Sequence, residues 1–124
     1  MSADGRVVIT DTERWTQAGG VEILPPPTLT AKIHALDISD DGLVIVGTQA
    51  EPGSLFGATG EALLWNLSGV HYIRDLLIAA GVAPSAMLNW KLGYASAVSG
   101  DGKVIAGTGT DPNGLQEAWI ARLP

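Results

Sequence analysis

Apolar residues along this chain come in short runs broken by glycine and polar clusters, and three of these runs follow the same tetrapeptide. Ser2-Ala3-Asp4-Gly5 precedes Val7-Val8-Ile9. Ser39-Asp40-Asp41-Gly42 precedes Val44-Ile45-Val46, and Ser99-Gly100-Asp101-Gly102 precedes Val104-Ile105-Ala106. Runs rich in β-branched residues and bounded by Asp-Gly read as strands launched from tight turns, because Gly takes up positive φ without steric cost. The match extends downstream. Gly47-Thr48 aligns with Gly107-Thr108, the first copy having Thr10-Asp11 there, and Glu61 to Trp65 ("EALLW") aligns with Glu117 to Ala121 ("EAWIA"). Trp15 takes the place of Trp65, and both are followed four residues later by Gly, at Gly19 and Gly69, then by "VEIL" and "VHYI".

For the most complete unit the pattern predicts strands near 34–38, 43–47, 61–66 and 70–73, a four-stranded meander. The first unit lacks a strand before its Ser, and the third stops after "EAWIARLP". Two segments interrupt the pattern. Pro25-Pro26-Pro27 predicts extended polyproline-like chain. Ile73, Leu76, Leu77 and Ala80 follow helical spacing, with Gly81 as a stop and Pro84 beyond, so a short helix is predicted near 74–80. The expectation is an all-β fold: a β-propeller-like fragment of antiparallel meander sheets, about two and a half repeats in one domain spanning 1–124. Unit 1 is partial over 1–27, unit 2 covers 28–73 with a helical linker over 74–87, and unit 3 is partial over 88–124.

Composition narrows the function classes. Hydrophobic residues at 46% against 16% charged place the chain with packed globular proteins. A formal charge of -6 opposes binding to nucleic acid or to an anionic lipid surface. No Cys is present, which removes disulfides, thiolate metal sites and Cys nucleophiles. The most apolar segment, "IRDLLIAAGV", carries Arg74 and Asp75 and is far shorter than the roughly 20 residues of a membrane span. "MSADGRVV" reads as no secretory signal, so the sequence alone leaves a cytoplasmic location open.

Candidate chemistry is sparse. Asp37, Ser39 and Asp41 alternate before Gly42 like the start of a calcium loop, yet Thr48 stands where a bidentate Glu would be needed and Ala97 replaces Asp37 in the third unit. A turn closed by Asp side-chain bonds to backbone amides is the competing reading. Trp15, Trp65, Trp90 and Trp119 would stack on sugar rings if gathered on one rim; packing between sheets is the expectation for Trp15 and Trp65. His34 and His71 with the turn serines allow a Ser-His-Asp arrangement to be drawn, without any Gly-x-Ser-x-Gly elbow to support it. "GTGTDPNG" lacks the Lys and helix of a phosphate loop and reads as a hairpin connection. Glu61 and Glu117, beside an Ala in each unit, read as strand-edge residues rather than a catalytic acid and base.

The stretches "ALDISDDGLVIVGT", "GEALLW" and "ASAVSGDGKVIAGTGTDPNGLQEAWIARL" resemble the HAF-repeat family of bacterial extracellular proteins. The likeness rests on the Ser-x-Asp-Gly, Val-x-Gly and Ala-x-x-Trp positions and covers nearly the whole chain. Where that family has His-Ala-Phe, this sequence has Glu61-Ala62-Leu63 and Glu117-Ala118-Trp119. The resemblance implies a secreted or surface location and carries no catalytic residue. The structural repeat positions are Ser2, Asp4, Gly5, Ser39, Asp41, Gly42, Ser99, Asp101 and Gly102, with Trp15, Trp65 and Trp119. The expected function is a noncatalytic structural or binding module without a cofactor. Its rivals are a carbohydrate-active or carbohydrate-binding propeller and a calcium-stabilised adhesive module. Open sheet edges predict self-association, or further repeats in a longer parent chain.

Overall fold

A computed structural model describes residues 1–29, 31–50 and 60–124, so that 51–59 of the expected second unit lie outside the described residues. The first sheet contains β1 (Val7–Ile9), β2 (Glu13–Thr16) and β3 (Gly20–Ile23) in that order. The second contains β4 (Lys32–Ile38), β5 (Ile45–Ala50), β6 (Glu61–Asn66) and β7 (Gly69–Tyr72). The third is β8 (Lys91–Val98), β9 (Val104–Thr110) and β10 (Gln116–Arg122). Every pairing is antiparallel between sequence neighbours, so each sheet is a meander. The fold is all-β with one short α-helix among the described residues, and these sheets do not close into a barrel or propeller.

Register makes the sequence repeat a physical one. Val8 faces Trp15 and Trp15 faces Val21, while in the second sheet Ile45 faces Trp65 and Trp65 faces Val70. In the third sheet Ile105 faces Ala121, and Gly107 faces Trp119 as Gly47 faces Leu63. Gly20, opposite Thr16, is therefore the partner of Gly69, opposite Asn66; the alignment on Gly19 is off by one because the β2–β3 connection is a residue longer. A register shift recurs too, between Ala35 and Asp37 in β4 and between Ala95 and Ala97 in β8.

Predicted strands 34–38 and 43–47 become Lys32–Ile38 and Ile45–Ala50. Leu43 and Val44 stay in the loop because the pairing of β5 begins only at Ile45, opposite Ile38 and Trp65, whereas Val7 and Val104, at the place of Val44, pair with Thr16 and Arg122. The helix α1 (Ile73–Ala79) starts directly after Tyr72, buries Ile73 and Leu77, and ends at Gly81 with φ 104. A short 3-10 turn over Pro84–Met87, absent from the sequence expectation, follows with Met87 buried. Residues 24–29 form no regular element.

Two cores lie between the three sheets. Val7, Leu24, Ile33, Ala35, Ile38, Ile45, Leu63 and Trp65 join the first and second sheets. Val46, Ala62, Leu64, Leu92, Ala95, Ile105, Trp119 and Ala121 join the second and third, with Ile73, Leu77 and Met87 closing one end. The middle sheet is thus apolar on both faces, as the continuous run Ala62-Leu63-Leu64-Trp65 requires.

Candidate functional site

The three Ser-x-Asp-Gly turns are built alike. The Ser hydroxyl donates to the Asp carboxylate at 2.9 Å for Ser2–Asp4, 2.7 Å for Ser39–Asp41 and 2.6 Å for Ser99–Asp101. The same carboxylate oxygen accepts the amide two residues on, from Arg6, Leu43 and Lys103, each at 3.0 Å. The Ser oxygen in turn accepts the amide five residues on, from Val7, Val44 and Val104. Gly5, Gly42 and Gly102 then sit at φ 72, 75 and 76, where a Cβ would be strained. Serine, aspartate and glycine each fill a distinct requirement of this loop, and that is why the tetrapeptide recurs. Hydrogen bonding holds all three Asp carboxyls below the usual range: the Arg6 amide leads at Asp4, the Leu43 amide at Asp41 and the Ser99 hydroxyl at Asp101.

These turns also stack on one another. A Cβ added at Gly42 would lie 2.5 Å from Val7 Cγ2, and one added at Gly102 would lie 2.8 Å from Val44 Cγ2. Val7 and Val44 hold the same place in their repeats, so the glycine corners of the second and third units each rest on the valine that follows the turn of the unit before. The Arg14 guanidinium donates to the Gly42 carbonyl at 3.3 Å, and the Asp40 amide donates to the Gly100 carbonyl at 3.1 Å. Burial follows the stacking. Ser2 and Ser39, each with a following unit against it, are buried, whereas Ser99 is half-buried.

Asp37, Ser39 and Asp41, the candidate calcium ligands, are engaged within the protein. The Asp37 carboxylate accepts the Val98 amide of the third sheet at 2.8 Å, and Asp41 closes the turn just described. Among the described residues no group of three His, Asp or Glu side chains stands in an arrangement that could hold a metal ion.

The four indoles do not share a rim. Trp65 is buried, and its Nε1 donates to the Pro25 carbonyl at 2.8 Å. Trp15 departs from the expected packing between sheets: it is 41% exposed, because no sheet lies in front of β2 as the first sheet lies in front of β6. Trp90 and Trp119 do meet, in an open groove of about 510 Å³ shared with Leu77, Met87, Ile120 and Arg122. Trp119 is buried there, and its Nε1 has no hydrogen-bond partner among the described residues. Its ring lies over Gly107, whose missing side chain leaves it room: an added Cβ would meet Cζ2 at 2.5 Å.

The remaining candidates fall to separate surfaces. His34 pairs with Asp11 at 3.4 Å, and His71 bonds Ser68 and Asn66 in the exposed β6–β7 turn, so neither imidazole reaches a repeat serine. Glu61 is half-buried at the start of β6, opposite Gln49, while Glu117 stands in β10, where a hydrogen bond with Asp111 pushes its carboxyl up and that of Asp111 is held down, first by the Leu115 amide. The "GTGTDPNG" stretch forms the β9–β10 hairpin, closed by Asp111 bonds to Asn113 and Leu115. No helix among the described residues is long and apolar enough to cross a membrane. Comparison with models of protein families, with curated proteins and with solved structures gives no match. Two features escaped the sequence reading: the valine beneath each glycine corner and the Trp90–Trp119 groove. The first had a signal, since a valine follows each glycine by two residues, but its partner lies in another unit.

Proposed function

We propose that the chain is a noncatalytic repeat module of propeller type, a portion of a secreted or cell-surface protein of the HAF-repeat kind, acting as a scaffold or binding surface. The observation that carries this reading is the repeated seating of a glycine corner on a valine of the preceding unit, Gly42 on Val7 and Gly102 on Val44. The Ser and Asp side chains of each turn are engaged in closing that turn, and the glycine corners of the second and third units support the join to the unit before. The resemblance in sequence supports the location, and stacked sheets that bury both faces of the middle one support the reading of propeller-type packing.

Labelling of intact producing cells with an antibody to this chain tests the location. Staining without permeabilisation is expected, and staining only after permeabilisation overturns a surface role. Incubation with a panel of chromogenic glycosides tests the absence of catalysis. No aglycone release is expected; release abolished by Glu117→Gln would establish the enzyme reading instead.

A further inference from the structure

The two end sheets carry the two unmatched halves of the contact that joins the units internally. On the third sheet Val104, the counterpart of Val7 and Val44, is 37% exposed, against 7% for Val7. Around it lie Ala106 and Ile120, a cross-strand pair in the places of Val46 and Leu64. Val46 and Leu64 are covered by the third sheet at 0% and 2% exposure, while Ile120 is 69% exposed. On the first sheet Gly5, the counterpart of Gly42 and Gly102, meets only the sulfur of Met1, at 3.8 Å. Beside it Trp15, Val21 and Ile23 occupy the places of Trp65, Val70 and Tyr72, which in the second sheet pack toward the first.

We infer that these faces dock on each other between copies of this chain, Gly5 of one copy seating on Val104 of the next and the Trp15 face covering Ile120. The occupant is a second copy because both halves of a join made twice within the chain are present on it, in matching register. Neither half matches itself, so the contact is head-to-tail and repeats from copy to copy, into a closed ring of two or more copies or an open array. The inference rests on the repeat-module reading and adds what its end faces bind.

Sedimentation velocity and light scattering over a concentration series test it. The average mass of the wild type should rise from the 12.8 kDa chain to twice that value or more. Val104→Lys and Val21→Lys, each at an exposed position, place one ammonium in the contact and should each weaken association by about tenfold or more. Mixed at equal amounts, the two variants each retain one intact face and should form a one-to-one dimer that grows no further. A wild type that stays monomeric at every concentration overturns the inference, as do single variants that associate like the wild type. Circular dichroism matching the wild type keeps a misfolded variant from counting. Mass is read independently of cellular location, so a monomer on cells that stain intact removes the docking and leaves the surface-module reading standing.

Discussion

Trp15 and Trp65 stand at the same register position, each between an aliphatic residue of the preceding strand and a valine of the next strand, yet one is 41% exposed and the other 3%. Their own strands are alike. What differs is the layer in front: the first sheet and the Pro25 carbonyl close over Trp65, and no described residue does so for Trp15. The opposite end repeats the contrast, with Leu64 buried under the third sheet and Ile120, its counterpart, open. The turns show no such gradient in their internal bonds, which agree within 0.3 Å for Ser to Asp, running from 2.6 to 2.9 Å in all three copies. Burial of a strand residue here depends on a neighbouring unit, whereas the turn is complete within six residues of chain.

The largest expected break in that symmetry is at the indoles. Trp65→Ala removes a buried ring and its hydrogen bond and should cost about 3–5 kcal/mol, while Trp15→Ala should cost under about 1 kcal/mol. Urea unfolding of both variants reads the difference; equal losses would mean that Trp15 is covered in solution.

Next come the glycine corners. Alanine at Gly5, Gly42 or Gly102 meets the same positive φ, a cost of about 1–2 kcal/mol that all three share. At Gly42 and Gly102 the methyl also strikes Val7 or Val44, adding about 1–3 kcal/mol of overpacking. Thermal denaturation at low protein concentration should therefore rank Gly5→Ala as the mildest. Identical losses at the three sites would argue that the turns do not bear on the preceding unit.

The smallest effect concerns pH, and it sharpens the comparison by being uniform. The turn carboxyls lie below the ordinary value of about 3.9 when folded, so their contribution is complete above about pH 4 and is lost as pH falls through the folded-state value. Asp4→Asn and Asp41→Asn should lower the urea midpoint modestly at pH 7, with the gap to wild type closing as pH falls below the ordinary carboxyl value. A gap that persists in acid would assign the loss to the amide's geometry and not to charge. Glu117 works in the opposite sense, since Asp111 raises its value and ionisation of Glu117 opposes folding as pH rises through the ordinary carboxyl range.

Strands, turns and the helix were legible because each is encoded locally. Alternation places Ile45 and Val46 on opposite faces, Asp-Gly fixes the corner, and the spacing of Ile73 and Leu77 with Gly81 beyond gives α1. The start of β5 was misplaced by two residues because cross-strand pairing, which hydropathy does not register, begins there only at Ile45, although Val7 and Val104 at the matching place are paired with Thr16 and Arg122. The 3-10 turn over Pro84–Met87 has too few residues to show a period. Of the site, the turn's own bonds were readable from Asp41 and its neighbours. The role of Asp37, which bonds Val98 across two sheets, was not, because its partner lies 61 residues away.

By itself the sequence determined the repeat, the broad placement of the second unit's four strands and the chemistry of the corners, since all of these are settled by steric preferences and hydrogen bonds within a few residues. Only the tertiary structure decided which glycine rests on which valine, which tryptophan is covered, and which two faces are left without a neighbour. Those outcomes depend on how successive sheets are set against one another, and no run of adjacent residues contains that distance.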